Sequence, residues 1–211
     1  MQSLNKKHFL SAASISGLLA AILFICSYST GKQSFFLLLN GNAGIIADNF
    51  FEIITWGGDG IIWIPALLII LFIIKRKDAI VLTVTAFVLS TVFVQGIKNF
   101  INPGEPRPTK ALINITLIHT VNGVEVHSIG SFPSGHTATA FCIYFIFCLL
   151  LPKRWWIVVG FIYAALVGYS RVYLAQHFPS DVAAGIIVAI LSVWLAVQLQ
   201  QYFWKRKALL K

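Results

Sequence analysis

The stretch WWIVVGFIYAALVGYSRVYLAQHFPSDVAAGIIVAILSVWLAVQLQQYF, residues 155–203, decides the fold: two apolar runs flank a short joint that carries Arg171, His177 and Asp181. The runs, at 155–173 and 180–203, approach or exceed the roughly 20 residues that a helix needs to cross a bilayer. Runs of the same character lie at 9–29, 53–74, 79–98 and 134–152. The expected fold class is all-α: a polytopic membrane protein with six transmembrane helices, forming one membrane-embedded domain over residues 1–211.

Composition points the same way. Of 211 residues, 58% are hydrophobic and 11% charged, where a soluble domain carries about a quarter charged. This excludes a cytosolic enzyme, a disordered tail and a secreted disulfide scaffold. The net charge of +9 would suit nucleic acid only if the basic side chains massed on one soluble face. They punctuate the apolar runs instead, so no nucleic-acid partner is expected. Cys26, Cys142 and Cys148 lie inside apolar runs and read as small buried hydrophobes.

Gly57-Gly58-Asp59-Gly60 predicts a break near the start of the second run. The segment 35–51 is apolar but interrupted by Asn40-Gly41-Asn42 and Asp48, and is expected at the membrane interface. Lys6 and Lys7 before the first run, and Ser27 and Ser29 after it, have the look of a secretory signal. Its apolar part is longer than the usual core of about 7–15 residues, so a retained span is expected.

If six helices alternate, eleven of the sixteen basic residues fall on one side: Lys6, Lys7, Lys75, Arg76, Lys77, Lys153, Arg154, Lys205, Arg206, Lys207 and Lys211. Retention of such residues during insertion predicts both termini cytoplasmic, in an inner or plasma membrane. Lys32, Lys98, Arg107, Lys110 and Arg171 fall outside. The long outer segment 99–133 opens with Asn102-Pro103-Gly104-Glu105-Pro106-Arg107-Pro108, which forbids regular helix. Val124-Glu125-Val126-His127 alternates after Asn122-Gly123, a favoured hairpin turn, so a small extracytoplasmic β-flap is expected. Asp48 and Glu52, four residues apart, read as a polar face turned to water.

Taken singly, the outer ionisable residues have bland readings: Lys98 and Arg171 snorkelling to headgroups, His177 interfacial, Asp181 complementing a helix dipole. Alternating topology delivers all of them to one face. Ser134 is a candidate N-cap, Gly135 permits close backbone approach, and the free N–H groups of the helix at 134 form an anion site. Planar guanidinium groups from Arg107 and Arg171 suit phosphate oxygens. Of two histidines, one can attack phosphorus while the other protonates the departing oxygen, and Asp181, four residues after His177, can fix its tautomer.

Pro133-Ser134-Gly135-His136, and Ser170-Arg171 followed after five residues by His177 and after three more by Asp181, resemble the second and third signature motifs of the type-2 phosphatidic acid phosphatase (PAP2) superfamily. The first motif of that family is a lysine, six residues and Arg-Pro. Here Arg107-Pro108 is present, with eight residues between Lys98 and Arg107, a two-residue insertion around 102–104. The resemblance implies a metal-independent phosphatase without cofactor, working through a phosphohistidine on His177. Asp181 would orient that residue, His136 would serve as acid and then base, and Lys98, Arg107, Ser134, Gly135 and Arg171 would bind phosphate.

A pocket at headgroup level points to a phosphate on a membrane lipid. Phosphatidic acid, phosphatidylglycerol phosphate, an isoprenyl pyrophosphate and a lipid A phosphate all fit. The alternatives are a lipid phosphotransferase of the same fold, and a phosphate or lipid transporter. Oligomeric state is not legible in the sequence.

Overall fold

Apolar residues on nearly every face favour helix wherever glycine and proline permit it. The computed structural model, which describes residues 3–209, contains helices but no strand among them. In chain order these are α1 (Lys6–Ser29), α2 (Lys32–Leu39), α3 (Ile45–Ile54), α4 (Trp63–Leu68), α5 (Ile80–Gly96), α6 (Pro108–Ala111), α7 (Gly135–Leu150), α8 (Trp155–Tyr173) and α9 (Pro179–Leu209), with short 3-10 and π turns between some of them. Lys211 lies outside the described residues, as do the side chains of Lys205, Arg206 and Lys207.

Among the described residues, four helices are long and apolar enough to cross a membrane: Lys6–Ser29, Lys77–Ile101, Trp155–Tyr173 and Pro179–Trp204. A fifth span arises if the bent pair Ile45–Gly58 and Gly60–Ile73 is counted as one. Helix α7, with 16 residues, is about 24 Å long, shorter than the ~30 Å hydrocarbon core.

The second run differs from the straight helix expected at 53–74. Its first arm begins at Ile45, inside the segment assigned to the interface, and the two arms meet at 58°. The cause is Asp59, whose extended backbone ends one arm while its Oδ1 accepts the Ile61 N–H at 2.9 Å and caps the next.

Burial orders the bundle. Only 22% of the most apolar window of α1 is buried, against 61% for α9. Helices α7 and α9 therefore form the centre, with α1, α5 and α8 packed around them. Phe141 and Phe145 are fully buried on α7, and Phe9 of α1 meets Phe145 edge-on with centroids 5.7 Å apart. Gly185 lets α9 approach α7: a Cβ there would lie 2.6 Å from the Ser134 carbonyl oxygen. Cys142 and Cys148 are buried and all three cysteines are free.

The β-flap does not form. The Asn122-Gly123 turn closes, with the Val124 N–H donating to Val121 O and Gly123 at φ 85°. The flanking backbone has other partners: the His119 N–H donates to Asn40 Oδ1, and Glu125 O accepts from Gln176 Nε2. What remains of β structure among the described residues is one bridge, Pro106 to Ile129. Asp48 is not turned to water either: its Oδ1 accepts from Tyr173 OH at 2.6 Å and lies 2.9 Å from His119 Nε2. Asn40, expected only as an interruption, is buried, and its Nδ2 donates to the Val172 and Tyr173 carbonyls at the end of α8.

Candidate active site

The C-terminal ends of α5 and α8, the N-terminal ends of α7 and α9, and the break at Gly58 surround a cavity of about 420 Å³. Lys98, Arg107, Gly135, His136, Arg171 and His177 line it. These are six of the eight residues singled out from the sequence. The other two, Ser134 and Asp181, stand behind the wall, with no exposed surface.

His177 lies in the joint between α8 and α9. Ala175 adopts a left-handed φ of 54°, which ends α8 and lets the N–H groups of Gln176 and His177 both donate to Arg171 O. The imidazole is 2% exposed, and its Nδ1 is 3.5 Å from Asp181 Oδ2, long for a hydrogen bond. Burial pushes its pKa down to about 3, with the neighbouring Asp181 pulling the other way, so the ring is neutral near pH 7. Asp181 in turn is fixed. Its Oδ2 accepts from Ser131 Oγ at 2.5 Å and from the Phe178 N–H at 3.0 Å, the second being the reach-back of a carboxylate in the first turn of a helix.

Ser134 caps α7: its Oγ accepts from the Thr137 N–H at 3.4 Å and from Thr137 Oγ1 at 2.9 Å. The Ser134 N–H donates to Asp181 O, which ties the starts of α7 and α9 together. His136 follows in the first turn, with Nε2 4.0 Å from Asp59 Oδ2. A Cβ on Gly58 would lie 2.7 Å from both Cβ and O of His136, so the bend is packed directly against this histidine.

The cations are held differently. Arg107 Nε donates to Ile129 O, and Nη1 donates to the carbonyl and Oε1 of Gln176. Burial lowers its pKa from the usual arginine value. Arg171 Nη1 donates to Thr55 Oγ1 at 2.6 Å, while Nε is buried with no hydrogen-bond partner. Lys98 reaches the cavity despite the longer spacing to Arg107. It sits in a π turn at Ile97–Ile101, where the Asn102 N–H donates to Ile97 O, and Gly104 reverses the chain beyond it at φ 75°.

Ser131, Gln176 and Thr55 were not singled out from the sequence, and they position Asp181, Arg107 and Arg171 respectively. Nothing in their spacing marks them. Gly58 was legible as a helix break but not as the seat of His136. Among the described residues no three His, Cys, Asp or Glu side chains gather closely enough to hold a metal ion.

A family model described as the PAP2 superfamily matches residues 79–205. A lipid A 4'-phosphatase of Bacteroides thetaiotaomicron is 31% identical over 166 residues, which cover 75% of this chain and 72% of that protein. An undecaprenyl-diphosphatase of Sulfolobus acidocaldarius is 28% identical over 177 residues, covering 78% of this chain and 76% of its own. The crystal structure of Aquifex aeolicus LpxE superposes with a TM-score of 0.67 at 32% identity, covering 78% of this chain and 93% of that one.

Proposed function

The chain belongs to the PAP2 superfamily, and from that premise we propose that it hydrolyses a phosphate carried by a membrane lipid through a phosphohistidine on His177. The observation that carries this reading is the single cavity lined at once by His136, His177, Lys98, Arg107 and Arg171. Neutral His177 attacks phosphorus in line. Asp181 stabilises the charge that develops on its ring, and His136 gives its proton to the leaving oxygen as the P–O bond breaks. Water then attacks, loses a proton to His136, and releases phosphate as the N–P bond breaks. Lys98, Arg107, Arg171 and the Gly135 N–H neutralise the equatorial oxygens, with Ser134 holding the helix terminus in place. Three fixed cations supply the charge stabilisation that a metal ion supplies elsewhere, so the proposed reaction is metal-independent.

The whole chain acts as one domain with six spans in this reading. Helix α7 needs no full lipid thickness because its sides are buried in protein. Both termini are cytoplasmic, and the loops of residues 99–133 cover the extracytoplasmic face over the cavity. Phosphatidic acid, phosphatidylglycerol phosphate, an isoprenyl diphosphate and a lipid A phosphate are the substrate classes to compare.

The test is release of inorganic phosphate from a lipid phosphate by protein purified in detergent with excess EDTA. Turnover, inhibition by vanadate and its loss in His177→Ala are expected. Strict magnesium dependence would refute the metal-free mechanism. Phosphate appearing on a second lipid instead of in solution would show transfer rather than hydrolysis.

A further inference from the structure

At the end of the bundle opposite the candidate active site, α1 and α8 begin around a cavity of about 540 Å³. Lys6, Lys7 and His8 of α1 line it with Arg154, the residue before α8, and no carboxylate does. Among the described residues none of these four forms a salt bridge. Lys6 Nζ donates to the neutral Gln201 Oε1, and Asp78, in the nearby turn, is taken by Arg76 at 2.8 Å. Both helices start without a capping side chain or an acidic residue in the first turn, so two positive helix termini add to the cationic side chains. Arg171, at the far end of α8, is about 26 Å away along the helix. Trp155 and Trp156 stack with centroids 4.2 Å apart in the first turn of α8, and Trp155 is 50% exposed, the aromatic signature of headgroup level.

Retention during insertion brings basic residues to this end of the spans. It leaves unexplained an apolar cavity of about 300 Å³ between the same two helices, lined by Leu19 and Leu23 of α1 and Ala165 and Gly168 of α8, with Phe141 behind them. Ser11 and Ile157 line the basic cavity, Leu19 and Ala165 the apolar one. That is eight residues further along each of two parallel helices, about 12 Å. Ile15, 43% exposed, and Phe161 carry the two stripes from one cavity to the other in four-residue steps.

We propose that the cleft between α1 and α8 binds an anionic phospholipid of the leaflet opposite the active site, with its phosphate among Lys6, Lys7, His8 and Arg154 and one acyl chain running along the cleft into the apolar cavity. The 12 Å step lies within half of the roughly 30 Å hydrocarbon core, the depth that one leaflet's chains fill. A soluble anion would leave the apolar cavity unused. A zwitterionic head would bring an ammonium group to a lining that offers it no carboxylate. The basic side chains donate charge-assisted hydrogen bonds to the phosphate oxygens, at the headgroup level where such clusters bind anionic lipid.

The test reads binding and not turnover, so it stands apart from the hydrolase reading. The full chain in an uncharged detergent is titrated with phosphatidylglycerol, with phosphatidylcholine of the same acyl chains, and with glycerophosphoglycerol, the head of the first lipid without its chains, and the rise in unfolding midpoint is followed. Phosphatidylglycerol should act at a concentration lower by about tenfold or more than phosphatidylcholine, and glycerophosphoglycerol should not act. Lys7→Gln combined with Arg154→Gln should weaken phosphatidylglycerol by about tenfold or more, since each basic residue beside an anionic headgroup contributes about fivefold, and should leave phosphatidylcholine unmoved. Ala165→Leu, which fills the apolar cavity, should weaken phosphatidylglycerol several-fold. The ratio between the two lipids is taken within one preparation, so partial misfolding of a variant leaves it readable. Equal action of the two lipids, equal action of the head alone, or a phosphatidylglycerol response unchanged in either variant overturns the inference.

Discussion

Replacing Gly58 by alanine tests whether the broken second span positions His136, using a residue that carries no functional group. The added Cβ would meet His136 Cβ, His136 O and Val167 Cγ1, each at 2.7 Å, where ordinary contact begins at 3.4 Å. Relief therefore requires a shift of about 0.7 Å, and two of the three obstacles belong to the residue being positioned. Overpacking of this kind costs about 1–3 kcal/mol. Displacing a proton donor by a sizeable fraction of an ångström can cost on the order of a hundredfold in kcat. The control is Gly17→Ala in α1, where a Cβ meets nothing within 4 Å. Both variants are assayed for kcat on a lipid monophosphate and for thermal unfolding in detergent. A fall in kcat of tens-fold or more in Gly58→Ala, beyond any loss of folded protein, is expected. Wild-type kcat with an unfolding midpoint equal to that of Gly17→Ala would refute the argument.

Arg171→Lys keeps the charge but loses the planar fork that meets Thr55 and that the proposed reaction needs for phosphate; a drop of about 10–100-fold in kcat/KM is expected, and activity within twofold of wild type would remove Arg171 from the proposed phosphate site. Burial lowers the His177 pKa to about 3 from the usual 6.5 of histidine, so the unfolded chain takes up a proton in a window where the folded chain does not. The stability this group contributes at pH 7 is therefore lost as pH falls from 6.5 toward 3, with a limiting slope of about 1.4 kcal/mol per pH unit. The unfolding midpoint of wild type should fall more steeply between pH 7 and 5 than that of His177→Gln, and parallel curves would contradict it. Ala175→Gly relieves a left-handed conformation at φ 54° and should stabilise by up to about 1 kcal/mol; a lower unfolding midpoint would show that the Cβ contributes more than the strain costs.

The membrane class was legible because apolar runs of spanning length have few other uses, and four of the helices match their expected limits within three residues, at Lys6–Ser29, Ile80–Gly96, Gly135–Leu150 and Trp155–Tyr173. The break at Gly58 was legible from composition, but the start of its first arm was not. Asn40 and Asp48 look like interruptions in sequence, yet they bond α8 and His119. The expected flap failed for a related reason. Its alternating residues have strand propensity, but Asn40 and Gln176, distant in sequence, occupy backbone groups that a ladder would have used.

By itself the sequence determined what is local or additive: where apolar runs lie, where glycine and proline interrupt them, and which side chains have phosphate chemistry at fixed offsets. His177 and Asp181 are four residues apart across one short joint, so chain geometry alone keeps them close. Tertiary structure decided what depends on encounters between distant segments. It packed Gly58 against His136 and gave Gln176 to Arg107 and Thr55 to Arg171. Such pairings are chosen by helix packing and by the cost of leaving buried polar groups unpaired, and neither quantity is written in the spacing of residues along the chain.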